Sequence, residues 1–264
     1  MQPITTFRAE QLAVAVYPQQ LQMGQAAAAD AAAAILSLQA QKQEINIIFA
    51  AAISQNTFLD ALRTYPQIDW TRVNAFHMDE YCGLSHSDPR SLASFLCTHF
   101  LDHVPVKNRY FLDGCCPDPA AECQRYGALL AQYPCDLVFL GIGDNGHLAF
   151  NDPHAADFRD AAAVKTVAID SISKQQQVNA GNFPDPQSVP SLAYTVTIPA
   201  LLRGKQLFCV VPSAAKAAAV SRALTGPVKE DCPASVLRRC ANAKLYLDQE
   251  SAALLPPELT LANQ

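Results

Sequence analysis

Short apolar runs recur along the chain and alternate with longer segments whose composition favours helices. Runs such as residues 45–50 and 136–141 are almost wholly apolar, as expected for strands that are buried on both faces. We predict strands at residues 45–50, 73–78, 110–112, 136–141, 164–169, 194–198, 207–211 and 244–247.

The segments between these runs predict helices. Residues 19–41 are rich in Ala, Leu and Gln, which favours one long helix. Hydroxyl groups of Ser54 and Ser213 are expected to cap two later helices. Residues from 256 onwards carry no such pattern and are expected to be loose. We predict helices at residues 19–41, 54–62, 92–101, 119–132, 214–224 and 232–239.

Strands that alternate with helices predict an α/β fold. We expect three layers, with a mostly parallel, Rossmann-like sheet covered by helices on both faces. We find no internal repeat and no linker, and interpret the Pro-rich stretch 182–190 as a surface loop. The prediction is therefore a single domain over residues 1–264.

Charge and apolar run length argue against two classes of partner. The formal net charge is −5 without a basic block, which disfavours nucleic acid but is compatible with a small anionic substrate. The longest apolar stretch, residues 26–36, contains Asp30 and is too short to span a membrane. The N-terminus has no basic region followed by an apolar run, so we expect no signal peptide and no membrane partner.

Cysteine usage points to a reducing compartment. The nine cysteines are odd in number and form no C-x-x-C pair. We interpret them as reduced thiols and expect a cytoplasmic protein. His99 and His103 are spaced as metal ligands on a helix could be, but no third ligand is evident, so we predict no metal site.

Polar clusters follow three of the predicted strands. They are residues 79–81, residues 141–153 and residues 213–216. Ligands bind beyond the carboxyl ends of the strands in an open parallel sheet, so these clusters are expected at one edge. Asp79 and Glu80 could supply a general base, since burial raises the proton affinity of a carboxylate. The alternative is a solvated acidic pair in a turn.

Residues 141–153, GIGDNGHLAFNDP, combine a flexible backbone with an imidazole. Three glycines would let the backbone approach a ligand closely. His147 with Asp152 five residues later could form a proton shuttle, because a carboxylate fixes the tautomer of an imidazole. A tight β–α turn or a dinucleotide loop are the alternatives, and Pro153 argues against the latter by interrupting the expected helix.

Two segments resemble those of glucosamine-6-phosphate deaminases. Residues 76–84, FHMDEYCGL, resemble the family segment F-x-M-D-E-Y-x-G-L, and residues 141–153 resemble G-x-G-x-[DN]-G-H-I-[AG]-F-N-E-P. Weaker similarity covers residues 45–247. The related 6-phosphogluconolactonases share the fold and a G-x-G-x-D-G-H turn, but they lack M-D-E-Y.

The resemblance implies a cofactor-free hydrolase or isomerase that acts on an amino sugar phosphate. His147 would open the pyranose ring, and Asp79 would move a proton from C2 to C1. Asn145 stands where the family has Asp or Asn. Asp152 replaces the usual Glu and is one methylene shorter, so its reach to His147 depends on the fold.

The expected phosphate site departs from the family pattern. The family's glycine-rich loop corresponds here to residues 49–57, FAAAISQNT, without glycine. The family's phosphate-binding Arg aligns with a neutral glutamine, while its Lys is present. Arg203 or Arg222 could supply the missing charge from elsewhere in the sequence. The residues expected to bind substrate are Ser54, Gln55, Asn56, Thr57, Gln177 and Lys216.

Three hypotheses stay open at this point. The first is isomerisation with deamination of glucosamine 6-phosphate or a close analogue. The second is an isomerase or lactonase acting on a related sugar, and the third is a non-catalytic sugar sensor on the same scaffold. The sequence leaves the oligomeric state open, a homo-oligomer included.

Overall fold

The computed structural model describes residues 2–260 and contains eleven strands there. The predicted single domain also included residue 1 and residues 261–264, which lie outside this described part. The strands are β1 Thr5–Ala9, β2 Leu12–Tyr17, β3 Ile45–Phe49, β4 Val73–His77, β5 Asp79–Tyr81, β6 Asn108–Tyr110, β7 Leu137–Leu140, β8 Val164–Ala168, β9 Leu192–Val196, β10 Gln206–Val211 and β11 Ala243–Asp248.

Helices connect most of these strands. The α-helices are α1 Gln20–Gln39, α2 Asn56–Leu62, α3 Leu92–His99, α4 Pro119–Gln132, α5 Ser171–Asn179, α6 Ile198–Leu201, α7 Ala217–Thr225 and α8 Pro257–Thr260. Single turns of 3₁₀-helix precede α2 at Ile53–Gln55 and α7 at Ala214–Lys216, and Pro233–Arg239 is a longer 3₁₀ segment.

Eight strands form the large sheet, in the order β1-β2-β11-β10-β7-β3-β4-β6. Every neighbouring pair is parallel except β1 and β2, which form an antiparallel hairpin at the edge. The predicted α/β class with a mostly parallel sheet is confirmed. The hairpin was not predicted, although Leu12–Tyr17 lies beside β11 as a full member of the sheet.

Alternate side chains of the central strands enter two separate cores. In β7, Leu137 and Phe139 belong to the core that contains α1 and α2. Val138 and Leu140 belong to the opposite core with α4 and α7. Successive strand residues point to opposite faces, so a continuous apolar run is what a sheet with two covered faces requires.

A second sheet of three antiparallel strands has the order β5-β9-β8. We had predicted one mostly parallel sheet, without a second sheet for residues 164–169 and 194–198, and a second strand of residues 73–78. Instead, Asp79–Tyr81 pairs with β9, with Asp79 opposite Thr195. An apolar run predicts a strand but not its partner, since pairing depends on residues far away in the sequence.

Helix starts were predicted with mixed success. The helix at 119–132 is confirmed, with the Asp118 side chain accepting hydrogen bonds from the Ala120 and Ala121 amides. Ser54 and Ser213, predicted as caps, make no capping hydrogen bond. Ser213 instead has φ of 80° and donates its N–H to Asp248. Of the end expected to be loose, Pro257–Thr260 forms α8, and residues 261–264 lie outside the described part.

Within residues 2–260, no helix is both long enough and apolar enough to cross a membrane.

Candidate active site

Two adjoining pockets, which share seven lining residues and which we call the inner and the outer lobe of one cavity, lie at the carboxyl ends of β3, β4, β7 and β10. The inner lobe has a volume of about 70 Å³ and is lined by Asp79 and His147. The outer lobe has a volume of about 270 Å³ and extends towards Arg90 and Ser213. Ser54, Gln177 and Lys216 are among the residues that line both lobes. The three polar clusters thus meet at one edge of the sheet.

Asp79 presents a buried carboxylate to the inner lobe. Only 9 % of the residue is exposed. Burial, and then the nearby Glu80 charge, raise the pKa of Asp79 to about 8. No hydrogen bond from residues 2–260 opposes this shift. A carboxyl group whose pKa lies near neutral pH can both take and return a proton, as a general base and acid must.

Glu80 has a different role from its neighbour. Its carboxylate accepts hydrogen bonds from the backbone amides of Tyr81 at 2.8 Å, Leu92 at 3.0 Å and Ala93 at 2.9 Å. The last two amides belong to the first turn of α3, which has no intrahelical partners for them. The acidic pair of the sequence therefore divides into Asp79, which faces the cavity, and Glu80, which fixes the start of a helix.

The His147 ring lies against the Gly143 backbone at the end of β7. A Cβ atom on Gly143 would come within 2.1 Å of His147 Nε2, so a side chain at this position would displace the ring. Nδ1 of His147 lies 3.0 Å from Asp152 Oδ1. This contact places the proton on Nδ1 and leaves the Nε2 lone pair available for proton transfer.

Asp152 reaches His147 although it is shorter than glutamate. Its Oδ1 atom also accepts hydrogen bonds from Asn145 Nδ2 at 2.9 Å and Ser173 Oγ at 2.5 Å, and Oδ2 accepts one from the Asp170 amide at 3.0 Å. Burial favours the neutral acid, but the hydrogen bonds and the charge of His147 outweigh it and lower the pKa of Asp152 to about 2. Asp152 is therefore ionised and orients the imidazole.

The small sheet connects the two reactive groups. Thr195 of β9 pairs with Asp79 through the backbone. Its hydroxyl accepts a hydrogen bond of 3.1 Å from the Phe150 amide, in the loop that follows His147. In the same loop Asn151 donates to the Val196 carbonyl at 2.9 Å, and Ala149 has φ of 52°. One strand thus fixes the position of both groups.

The predicted substrate-binding residues separate into two groups. Ser54, Gln55, Gln177 and Lys216 line the inner lobe. Asn56 and Thr57 line neither lobe, because the first turn of α2 directs them elsewhere. Thr57 packs on α1, where a Cβ on Gly24 would lie 2.9 Å from Thr57 Oγ1. The prediction that Asn56 and Thr57 contact a ligand in this cavity is therefore not supported by their positions.

Arg203 and Arg222, which could have replaced the family's phosphate-binding arginine, do not line the cavity. Arg203 lines a separate cavity with Cys135 and Ala200. Arg222 donates a hydrogen bond of 2.6 Å to the Asp231 carbonyl. The arginine that does line the outer lobe is Arg90, which no sequence pattern singled out.

Both cations that line the cavity have a carboxylate partner. Lys216 Nζ lies 2.5 Å from Asp144 Oδ1. Arg90 donates to both oxygens of Asp88 through Nε at 2.9 Å and Nη2 at 2.6 Å. Lys216 could be predicted from the sequence as a cation for the ligand, but its partner Asp144 could not.

Two further residues of the site were missed. Ser173 contacts both His147 and Asp152. Gln176 lines both lobes and accepts a hydrogen bond of 2.8 Å from the Asp144 amide. The spacing of Ser173, Gln176 and Gln177 on one face of α5 was the available signal, since residues three and four apart share a helix face.

Most of the chain is similar in sequence to known proteins. Residues 18–247 match the sequence model of a family described as glucosamine-6-phosphate isomerases/6-phosphogluconolactonase. A glucosamine-6-phosphate deaminase of Bacillus cereus (strain G9842) is 36 % identical over 188 residues, which cover 71 % of this chain and 70 % of that protein.

Solved structures extend the similarity. A monomeric glucosamine-6-phosphate deaminase gives a TM-score of 0.84 at 29 % identity, covering 91 % of this chain and 99 % of the other. A 6-phosphogluconolactonase from Thermotoga maritima gives a TM-score of 0.72 at 15 % identity, covering 89 % of this chain and 98 % of the other. The second likeness concerns the fold alone.

Proposed function

The chain belongs to the family of glucosamine-6-phosphate isomerases and 6-phosphogluconolactonases, and we propose that it converts an amino sugar into a ketose with release of ammonia. The substrate would be glucosamine 6-phosphate or a close analogue. One water enters and one ammonia leaves, and no cofactor is consumed. The observation that carries the proposal is that Asp79 and His147 line one small lobe.

The first step is ring opening, for which His147 has suitable contacts. Nε2 accepts the proton of the anomeric hydroxyl, and the imidazolium gives that proton to the ring oxygen as the C1–O5 bond breaks. Asp152 stabilises the imidazolium that forms, because its ionised carboxylate contacts Nδ1 at 3.0 Å. Ser173 and Asn145 keep this carboxylate in place.

Asp79 carries out the second step. As a carboxylate it takes the proton from C2 of the open-chain aldehyde, and it returns that proton to C1. The C1 oxygen gains a proton and the amine loses one, so that the double bond then lies between C2 and nitrogen. Water adds to this imine at C2 and ammonia leaves, which gives the ketose. Burial makes Asp79 a stronger base than an exposed aspartate, since its pKa is about 8.

The two alternative functions, a lactonase and a sugar sensor, would not need both Asp79 and His147. Hydrolysis of a lactone needs a base that activates water, but no base for a carbon-bound proton. A sugar sensor needs neither group, and a carboxylate buried without a hydrogen bond costs stability. The position of Asp79 therefore favours an aldose–ketose isomerisation, and the relatives named as deaminases favour loss of ammonia in the same reaction.

We also propose that residues 1–264 act as one domain. Asp79 lies in the small sheet, while His147 follows a strand of the large sheet. Neither sheet alone would contain the complete site.

Ammonia release from glucosamine 6-phosphate and from glucosamine tests the proposed function. We expect ammonia and ketose in equal amounts from at least one of the two sugars. Release of acid from 6-phosphogluconolactone without ammonia from either sugar would support the lactonase instead. Binding without turnover would support the sensor.

A further inference from the structure

The outer lobe offers little net positive charge to a ligand. Its two cations are Lys216 and Arg90, and each is paired with a carboxylate of the chain, Asp144 and Asp88 respectively. The two ion pairs together contribute no net charge. A phosphate monoester carries about −1.5 to −2 at pH 7 and is bound well where cations or converging N–H groups are available to it.

Of the two ion pairs, Asp144–Lys216 should have the larger effect on the binding of an anion. The side chains are only 23 % and 11 % exposed, so water and salt screen the pair weakly. The backbone of Asp144 is also fixed, because its N–H donates to Gln176 Oε1 at 2.8 Å. A dianion that approached Lys216 would either displace the Asp144 carboxylate or lie beside a like charge.

Neutral groups line the remainder of the outer lobe. Gln177 accepts a hydrogen bond of 2.8 Å from Asn182 through Oε1, which leaves its Nε2 group as a donor. Gln176 likewise uses Oε1 and keeps Nε2. Amides and hydroxyls of this kind suit sugar hydroxyl groups, which both donate and accept hydrogen bonds. These groups are Ser54, Gln176, Gln177, Asn179, Asn182 and Ser213.

We propose that the Asp144–Lys216 ion pair makes this site select an amino sugar whose far end carries no dianionic phosphate. This inference rests on the proposed function, in which Asp79 and His147 hold the C1–C2 end in the inner lobe. The far end then lies in the outer lobe, where a hydroxyl finds neutral partners. Asp144 is the specificity-determining residue, because its carboxylate neutralises the lysine that would otherwise attract the phosphate.

Binding to Asp79→Asn protein tests the proposal without turnover. Titration calorimetry gives Kd for glucosamine, glucosamine 6-phosphate and inorganic phosphate. We expect Asp79→Asn to bind glucosamine at least as tightly as its 6-phosphate. Adding Asp144→Asn should tighten binding of the 6-phosphate and of inorganic phosphate by roughly 10- to 100-fold, the range for one charge-assisted contact. The Kd of glucosamine should change less than about threefold, because its far end carries no charge that the Asp144 carboxylate could repel.

Two controls separate the ion pair from a general change of charge. Asp88→Asn removes a carboxylate beside the more exposed Arg90 and should alter phosphate binding less than about threefold. Replacing the whole pair, with Asp144→Asn and Lys216→Met together, should leave the ratio of the two sugar affinities within about threefold, since the pair has no net charge. Circular dichroism of each variant verifies that it is folded.

Three results would overturn the proposal. One is tenfold tighter binding of the 6-phosphate than of glucosamine while Asp144 is present. The others are no gain from Asp144→Asn, and an equal gain from Asp88→Asn. Failure of the proposed function is a separate result: the wild type would release ammonia from neither sugar, while the inorganic phosphate titrations would still decide what Asp144 does.

Discussion

The inner and outer lobes of the cavity treat their charged groups differently. In the inner lobe, the Asp79 carboxylate is buried without a hydrogen bond from residues 2–260, and burial raises its pKa to about 8. In the outer lobe, Lys216 and Arg90 already have carboxylate partners. The base Asp79 is thus kept without a side-chain partner, and Asp152 holds the imidazole of His147 through Nδ1 only, whereas the two cations that would bind a ligand are neutralised. The comparison predicts large effects of substitution in the inner lobe and small ones at the outer rim.

The largest effect is expected from Asp79→Asn. The carboxamide keeps the shape but cannot accept the C2 proton, and loss of a general base typically lowers kcat by about 10²- to 10⁴-fold. Exchange of the C2 hydrogen with deuterated water, followed by NMR, should be lost in parallel with ammonia release. Retention of exchange would show that another group is the base.

Asp79→Asn should also stabilise the protein in one pH range. The folded pKa of Asp79 is about 8, above the ordinary value of 3.8, so the folded state binds more protons between these values. The contribution of wild-type Asp79 to stability therefore falls as pH rises through this window. We expect the Tm of the variant to exceed that of the wild type at pH 8, and the difference to disappear at pH 4. An equal difference in Tm at pH 4 and pH 8 would contradict the raised pKa of Asp79.

The second largest effect is expected from His147→Gln, at about 10²-fold in kcat for sugars that must open a pyranose ring. An analogue without the 4- and 5-hydroxyls can close neither a pyranose nor a furanose ring, so it should be affected much less. Steady-state ammonia release with both compounds measures the difference. Equal losses on the two would argue against a role in ring opening.

A smaller effect is expected from Ser173→Ala. Ser173 donates to Asp152 at 2.5 Å and contacts Nδ1 of His147 at 2.9 Å, so its loss would free the carboxylate to move. One hydrogen bond contributes about 0.5–1.5 kcal/mol, which predicts a fall in kcat of roughly 2- to 13-fold with little change in KM. The exposed Ser171 in the same helix is the matched control, and Ser171→Ala should have wild-type kinetics. A change confined to KM would contradict a positioning role.

The smallest effect is expected from Arg90→Met at the outer rim. Arg90 is paired with Asp88 and half exposed, and such pairs contribute about 0–1 kcal/mol. We predict a change in KM below about threefold for glucosamine. A tenfold rise would mean that Arg90 binds the substrate directly, and it would weaken the contrast between the lobes.

The reactive groups of the inner lobe, and the residues that hold them, could mostly be predicted from the sequence. Asp79, His147, Asn145 and Asp152 lie in two short segments that each follow a strongly apolar run. Parallel strands bring their carboxyl ends to one edge, so the meeting of these segments could be predicted. The sequence also predicted that another group approaches the backbone of Gly143 closely. The expected group was a ligand, whereas in the structure it is the ring of His147.

The tertiary structure alone decided how these groups differ. Asp79 and Glu80 are adjacent in sequence, but only the position of α3 gives Glu80 its amide donors. The small sheet depends on β9 pairing with β5, more than a hundred residues away, and no local pattern encodes that distance. Asp144 and Lys216 are 72 residues apart, and their charges meet because β7 and β10 are neighbours in the sheet. The sequence by itself determined which side chains stand at the strand ends, since hydrophobic periodicity is local. Which of them remain unpaired was decided by packing, because burial and ion pairing depend on contacts between distant segments.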